Sequence, residues 1–179
     1  MKFKHLLLPL ALFVCIAGIL CGAAKATAPV REANRRKEQM EVMSLLLPGS
    51  TSFEEEAYAG EDTNITAVFK SDQGYVVETT VAGYVDDMVI WVGVAGDGIV
   101  TGITVRSMNE TYGLGRRAMT DMSFLGQFIG TQGDAEIGVN VDGLAGATVS
   151  SKAVVKAANS AVAFVTGTDI SSSATGWGG

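Results

Sequence analysis

The sequence has almost no cysteine or histidine with which to build a catalytic centre. Its 179 residues include two cysteines, Cys15 and Cys21, and one histidine, His5, all close to the amino terminus. Residues 22–179 therefore contain no Ser/His or Cys/His catalytic pair, no thiolate zinc or iron–sulfur site, no histidine-ligated haem and no disulfide. Redox chemistry in this part of the chain requires an organic cofactor that the protein binds.

Basic residues are also scarce after residue 50. Of the 13 Lys and Arg and 19 Asp and Glu, residues 1–50 hold seven and three, which leaves six and sixteen, a net charge of −10, in residues 51–179. A nucleic-acid-binding protein needs clustered positive charge to neutralise phosphates. We therefore exclude nucleic acid as a partner and expect one acidic domain with a single core.

Residues 6–24 form one long uncharged, apolar run after a basic start. Nineteen helical residues extend about 28 Å, close to the roughly 30 Å hydrocarbon thickness of a membrane. This length favours a transmembrane anchor within residues 1–28, because the apolar region of a cleaved signal peptide usually has about 7–15 residues. The alternative is a signal peptide cleaved near Ala24-Lys25-Ala26 or Ala26-Thr27-Ala28. Counting basic residues on each side favours a cytoplasmic domain, whereas the basic start is typical of a signal anchor.

Residues 29–62 predict a stalk helix and a linker. The helix is expected over 29–47, where Pro29 suits the first turn and Pro48-Gly49 ends it. Met40, Met43 and Leu47 recur on one face. The following stretch, 50–62, is interpreted as a linker whose acidic triplet Glu54–Glu56 is a solvated loop.

Residues 63–168 predict an α+β domain. Two hairpins are expected, one with strands 64–70 and 75–82 and one with strands 88–94 and 99–106, because apolar residues alternate on each side of turn signals. Trp91 is expected to pack against the sheet. Strands followed by helices indicate an antiparallel sheet with packed helices.

Two helices are expected after the strands. The first has Ala118, Met122, Leu125 and Ile129 on its apolar face, with Phe128 beside them, and the second runs from about Val149 to Val165. The Ser- and Gly-rich residues 169–179 predict a disordered tail.

The segment 142–151, DGLAGATVSS, precedes the second helix. One interpretation is a glycine-containing turn in which Thr148 or Ser150 caps the helix. The other is a phosphate attached at Thr148, because a helix N-terminus offers free N–H groups and partial positive charge. The small residues at 145–147 leave the hydroxyl accessible to another enzyme.

The segment 109–115, NETYGLG, is a second glycine-rich loop. Gly113 and Gly115 let the backbone approach a flat ring, and Leu114 can cover the face of that ring. Glu110 or Thr111 can form hydrogen bonds with its polar edge. The alternative is an ordinary tight turn after a strand.

In this order and spacing, the two segments resemble those of the FMN-binding subunit family, which includes the G subunit of the Rnf electron-transport complex and the C subunit of the sodium-pumping NADH:quinone reductase. The resemblance spans residues 6–165. The family motif Asp-x-x-[Ser/Thr]-Gly-Ala-Thr-x-[Thr/Ser] receives FMN as a phosphoester on its threonine, which corresponds to Thr148. A separate flavin transferase attaches it from FAD. Two departures are Tyr112, where the family has proline, and Ala145, where it has Ser or Thr.

The resemblance implies a covalently bound FMN and a role as an electron relay within a membrane-bound, ion-translocating oxidoreductase with other subunits. The relay needs no acid, base or metal of its own. It implies a single-pass protein of a bacterial-type cell membrane with its FMN domain on the extracytoplasmic side. The alternatives are a stand-alone exported FMN-binding protein and a tethered binding domain without flavin. The implied cofactor residues are Glu110, Thr111, Gly113, Leu114, Gly115, Asp142, Gly146, Ala147, Thr148 and Ser150.

Overall fold

The computed structural model describes residues 27–107 and 121–168. The apolar run 6–24, the loop 109–115 and the tail 169–179 lie outside these residues, so the anchor, the ring-side loop and the disordered tail stay predictions. Among the helices of the described ranges, none has the length and apolar character needed to cross a membrane.

Helix α1 occupies residues 27–46 and ends just before Pro48. The chain divides into two compact units between Glu41 and Val42. Within the second unit, Met43 and Leu47 are buried as predicted, and Leu46 is buried with them. Met40, expected on the same face, is 48% exposed.

Within residues 27–107 and 121–168, five antiparallel strands form one sheet in which every strand lies beside its neighbour in sequence. Both predicted hairpins, β2–β3 and β4–β5, are confirmed. The strands are β1 (Glu54–Glu56), β2 (Ile65–Lys70), β3 (Gly74–Ala82), β4 (Asp87–Ala95) and β5 (Val100–Ser107).

The interpretation of Glu54–Glu56 as a loop is wrong, because these residues form the edge strand β1. Glu54 lies opposite Lys70 and Glu56 lies opposite Val68 of β2. All three side chains are exposed. Three consecutive glutamates show no alternation of apolar and polar residues, so the local sequence does not predict a strand. They form one because their backbone pairs with β2.

One face of the sheet carries α1 residues and Trp91. Trp91 is 2% exposed and packs with Met43, Leu46, Leu47 and Val76, which confirms its expected place in the sheet. Its indole Nε1 donates a 2.7 Å hydrogen bond to Glu78.

The other face carries helix α2 (Met122–Gly126) and helix α3 (Thr148–Thr166). Helix α3 confirms the second predicted helix. The predicted apolar face of the first helix is confirmed at Leu125 and Phe128, which are buried, and wrong at Met122 and Ile129, which are 78% and 57% exposed. Phe124 is buried in their place. Helix α2 begins at Met122, after its N-cap Asp121, whose carboxylate accepts the N–H groups of Ser123 and Phe124, and the predicted position Ala118 lies outside the described residues.

Two contacts show at which end of the sheet each end of helix α3 lies. A β-carbon on Gly98, in the β4–β5 turn, would lie 2.5 Å from Thr166 Cγ2, and the Phe164 ring meets the Tyr75 ring near the start of β3. The carboxyl end of α3 therefore lies at the end of the sheet with the β2–β3 and β4–β5 turns. Thr148 faces the opposite end, where β5 finishes at Ser107.

Candidate functional site

Thr148 is the exposed first residue of α3. The N-cap position belongs to Ala147, and no side chain makes a capping hydrogen bond there. The interpretation of Thr148 or Ser150 as the helix cap is therefore wrong. Ser150 is 1% exposed and lies on the buried side of the first turn.

The amino terminus of α3 suits a phosphate. A helix leaves its first N–H groups without intrahelical partners and carries a partial positive charge at that end. Among the described residues, the amides of Thr148, Val149 and Ser150 have no hydrogen-bond acceptor, and no acidic residue lies in the first turn. A phosphate joined to the Thr148 hydroxyl would meet donors rather than carboxylates, so these residues fit the phosphate of FMN.

A tight turn directs the chain into the helix. The Ala147 N–H donates to the Leu144 carbonyl at 2.9 Å. Gly146 has a φ of 78°, a left-handed conformation that favours glycine. Ala145 and Gly146 are exposed, so no bulky side chain stands immediately before the Thr148 hydroxyl.

Two side chains that the sequence reasoning missed hold this turn. The side-chain oxygen of Gln127 accepts the Asp142 N–H at 2.8 Å, and its nitrogen donates to the Asp142 carbonyl at 3.4 Å. Ser151 Oγ accepts the Leu144 N–H at 3.1 Å. Neither contact has a local signature, because the partners are 15 and 7 residues apart.

The loop that precedes the turn is fixed to α3 by Asn159. This side chain is 3% exposed. It accepts the Ala135 N–H at 3.1 Å and donates to the Ala135 carbonyl at 2.9 Å. The amide thereby satisfies both backbone groups of a buried residue.

The structure brings together half of the expected cofactor residues. Asp142 is exposed, with its backbone held by Gln127, and Gly146, Ala147, Thr148 and Ser150 follow in the turn and the first helical turn. Glu110, Thr111, Gly113, Leu114 and Gly115 lie outside the described residues.

A cavity of about 590 Å³ lies elsewhere, beside the carboxyl half of α3. Tyr58, Tyr75, Asp62 and Ser160 are among its lining residues. Ser160 comes twelve residues after Thr148, which corresponds to about 18 Å along a helix. This cavity is therefore separate from the turn at Thr148.

Asp62 is the titratable group in this cavity with a perturbed acidity. Burial opposes ionisation, but hydrogen bonds from Asn64 and Ser160 and the charge of Lys156 outweigh it, so the pKa of Asp62 lies below its ordinary 3.8. The carboxylate is therefore ionised at neutral pH and organises the loop before β2.

Comparison with known proteins identifies an FMN-binding domain in this chain. Residues 83–163, from the β3–β4 turn into α3, match the FMN-binding domain family. The chain is 34% identical over 164 residues to the G subunit of the proton-translocating ferredoxin:NAD(+) oxidoreductase complex of Clostridium ljungdahlii, covering 84% of this chain and 85% of that one. It is 33% identical over 148 residues to the G subunit of an ion-translocating oxidoreductase complex of Methanosarcina acetivorans, covering 72% and 76%.

Proposed function

This chain belongs to the family of G subunits of ion-translocating oxidoreductase complexes, and from that premise we propose that it carries electrons through an FMN joined by a phosphoester to Thr148. The family and the FMN-binding domain make it a flavin electron-carrier subunit of such an oxidoreductase. The observation that carries the covalent attachment is the exposed Thr148 at the uncapped start of α3. FMN supplies the redox chemistry, and the chain supplies attachment and orientation.

The attachment is a transfer from FAD to a hydroxyl. A bond forms between Thr148 Oγ1 and the phosphorus of the FMN half of FAD, the bond from that phosphorus to the bridging oxygen breaks, AMP leaves and the hydroxyl proton is released. The chain has no histidine or cysteine after residue 21 to accept that proton. A separate flavin transferase is therefore the proposed maturation partner.

Lys152 adds charge next to the proposed ester. It is exposed and follows Thr148 by four residues on α3. Residues four apart are neighbours on a helix surface, so its ammonium group lies within reach of a phosphate on Thr148. Together with the amides of the first turn, it would hold the phosphate.

The proposed ring site combines both glycine-rich segments. Strand β5 leads from Ser107 into the segment that contains Glu110, Thr111, Gly113, Leu114 and Gly115, and it finishes at the Thr148 end of the sheet. This topology supports a flavin held between that segment and the 142–148 turn, with Asp142 and Gly146 beside it.

The proposed location is a membrane, with a single anchor at residues 6–24 and the FMN domain on the extracytoplasmic side. The uncharged run after a basic start supports this arrangement. Membership in a family of membrane-complex subunits supports the membrane itself and implies other subunits as redox partners.

The test is the intact mass and in-gel flavin fluorescence of the full chain co-expressed with a flavin transferase. The wild type should gain one FMN, and Thr148→Ala should gain none. Thr148→Ser keeps a hydroxyl and should retain some loading, while Thr51→Ala removes an exposed hydroxyl from the linker before β1 and should load normally. A wild type without added mass, or a Thr148→Ala variant that carries covalent FMN, would overturn the proposal.

A further inference from the structure

The attachment loop, defined as residues 142–147, is held by polar side chains from outside it. Gln127 engages both the N–H and the carbonyl of Asp142, at the beginning of the loop. Ser151 engages the N–H of Leu144, near its middle. Ala145 and Gly146 of this loop are exposed, so these contacts constrain a loop that packing alone does not enclose.

Gln127 is itself firmly placed. It is the C-cap residue of α2, and its backbone N–H donates to Phe124 at 3.2 Å. On either side of it, the buried rings of Phe124 and Phe128 meet edge to face, with centroids 5.4 Å apart. The amide of Gln127 therefore connects the attachment loop to the hydrophobic core.

Ser151 connects the same loop to α3. Its side chain is fully buried, three residues after Thr148. Because its hydroxyl accepts the Leu144 N–H, the loop cannot lift from the first turn of α3 without breaking this hydrogen bond. The orientation of Thr148 at the start of α3 therefore depends on the conformation of the loop.

Transfer of a phosphoryl group requires a defined approach of the hydroxyl. Reacting atoms must come within about 3–3.5 Å in the correct alignment, and a misplacement of about 1 Å can slow a reaction roughly 100-fold. If the loop that leads into α3 were unrestrained, Thr148 would meet the transferase in many orientations. A loop fixed at two points presents one.

We propose that Gln127 and Ser151 are positioning residues for flavin attachment, which hold the loop 142–147 in the conformation that the flavin transferase uses. The inference rests on the proposed attachment at Thr148. Neither side chain takes part in bond formation. Each acts through the backbone of the loop, and its loss should slow attachment without removing the acceptor hydroxyl.

The experiment follows the mass of the flavin-free full chain, in detergent, during incubation with a flavin transferase and FAD. Gln127→Met removes both hydrogen bonds at similar length, and Ser151→Ala removes one oxygen. Each variant should load about 10- to 100-fold more slowly at saturating protein substrate. Gln127→Glu keeps the acceptor for the Asp142 N–H and should fall between. Gln73→Met, an exposed glutamine in the β2–β3 turn, is the matched control and should load at the wild-type rate.

Hydrogen exchange on the flavin-free proteins gives a readout that is independent of loading. The amides of Asp142 and Leu144 should exchange faster in Gln127→Met and Ser151→Ala respectively, while the urea midpoint and the exchange of central β3 and β4 amides stay close to wild type. Ser151→Ala decides the question even if Gln127→Met does not fold.

The possible failures differ. A wild type that receives no FMN at Thr148 overturns the attachment and this inference with it. If the wild type loads FMN, and folded Gln127→Met and Ser151→Ala variants load it at the same rate as the wild type, only the positioning role is overturned.

Discussion

Leu46 and Gly93 are in direct backbone contact. A β-carbon added to Gly93 would lie 2.2 Å from the Leu46 carbonyl oxygen. Gly102 lies opposite Gly93 on β5, and Thr101 Oγ1 donates to the same Leu46 oxygen at 2.5 Å. The end of α1 therefore rests on a cross-strand glycine pair, and its last-turn carbonyl finds a donor in the sheet.

Gly93→Ala should destabilise the domain, because the new methyl group must displace the backbone at Leu46. Overpacking of this kind costs about 1–3 kcal/mol. The measurement is urea unfolding followed by circular dichroism. Gly126→Ala is the control, because a β-carbon there meets nothing within 4 Å. Equal stability of Gly93→Ala and wild type would contradict the close contact.

Asn159→Ala should destabilise more than Asn140→Ala. Both side chains make two hydrogen bonds to backbone groups, but Asn159 is buried and Asn140 is exposed. A buried backbone group left without a partner costs about 1–3 kcal/mol, whereas water replaces the exposed partner. Urea unfolding of both variants tests this difference. Similar losses from the two would show that burial at Asn159 does not matter.

Asp62→Asn should weaken the fold at neutral pH and have little effect in acid. Because hydrogen bonds and Lys156 lower the pKa of Asp62 below 3.8, its ionised form stabilises the folded state above that pH. The contribution is lost as the pH falls through the lowered pKa. The difference in free energy of unfolding between wild type and Asp62→Asn should therefore be largest near pH 7 and shrink below pH 3.8. Growth of this difference in acid would refute the assignment.

Lys156→Gln provides the companion measurement. Removing the positive charge should raise the pKa of Asp62 towards its ordinary value, because Lys156 is one of the groups that lower it. The acid dependence of the Asp62 contribution should consequently move to higher pH. Titration of the Asp62 carboxyl by NMR in both proteins measures the shift directly.

The elements that local patterns specify were predictable. Both central hairpins have alternating apolar residues around a clear turn, and α3 has a buried face at regular helical spacing, so backbone and packing preferences agree. The same reasoning placed Thr148 at the start of a helix. The resemblance of segment 142–151 then predicted FMN attachment at that position, and this attachment stays a proposal.

The elements that depend on distant partners were not predictable. Strand β1 forms because its backbone pairs with the edge of β2, and the glutamate triplet itself does not signal that partner. Gln127 and Asn159 act through backbone groups 15 and 24 residues away. A single polar side chain gives no periodic signal, so its hydrogen-bond partners cannot be predicted from the sequence pattern and are visible only in the folded structure.

The glutamates of β1 also affect how copies of this protein meet. An exposed sheet edge offers unpaired backbone groups to a second molecule. If two copies paired along β1, Glu54–Glu56 from each would be brought to a strand spacing of about 4.8 Å. Their mutual repulsion opposes fibril-like stacking at neutral pH. High salt, which screens these charges, therefore weakens the repulsion that opposes pairing along this edge.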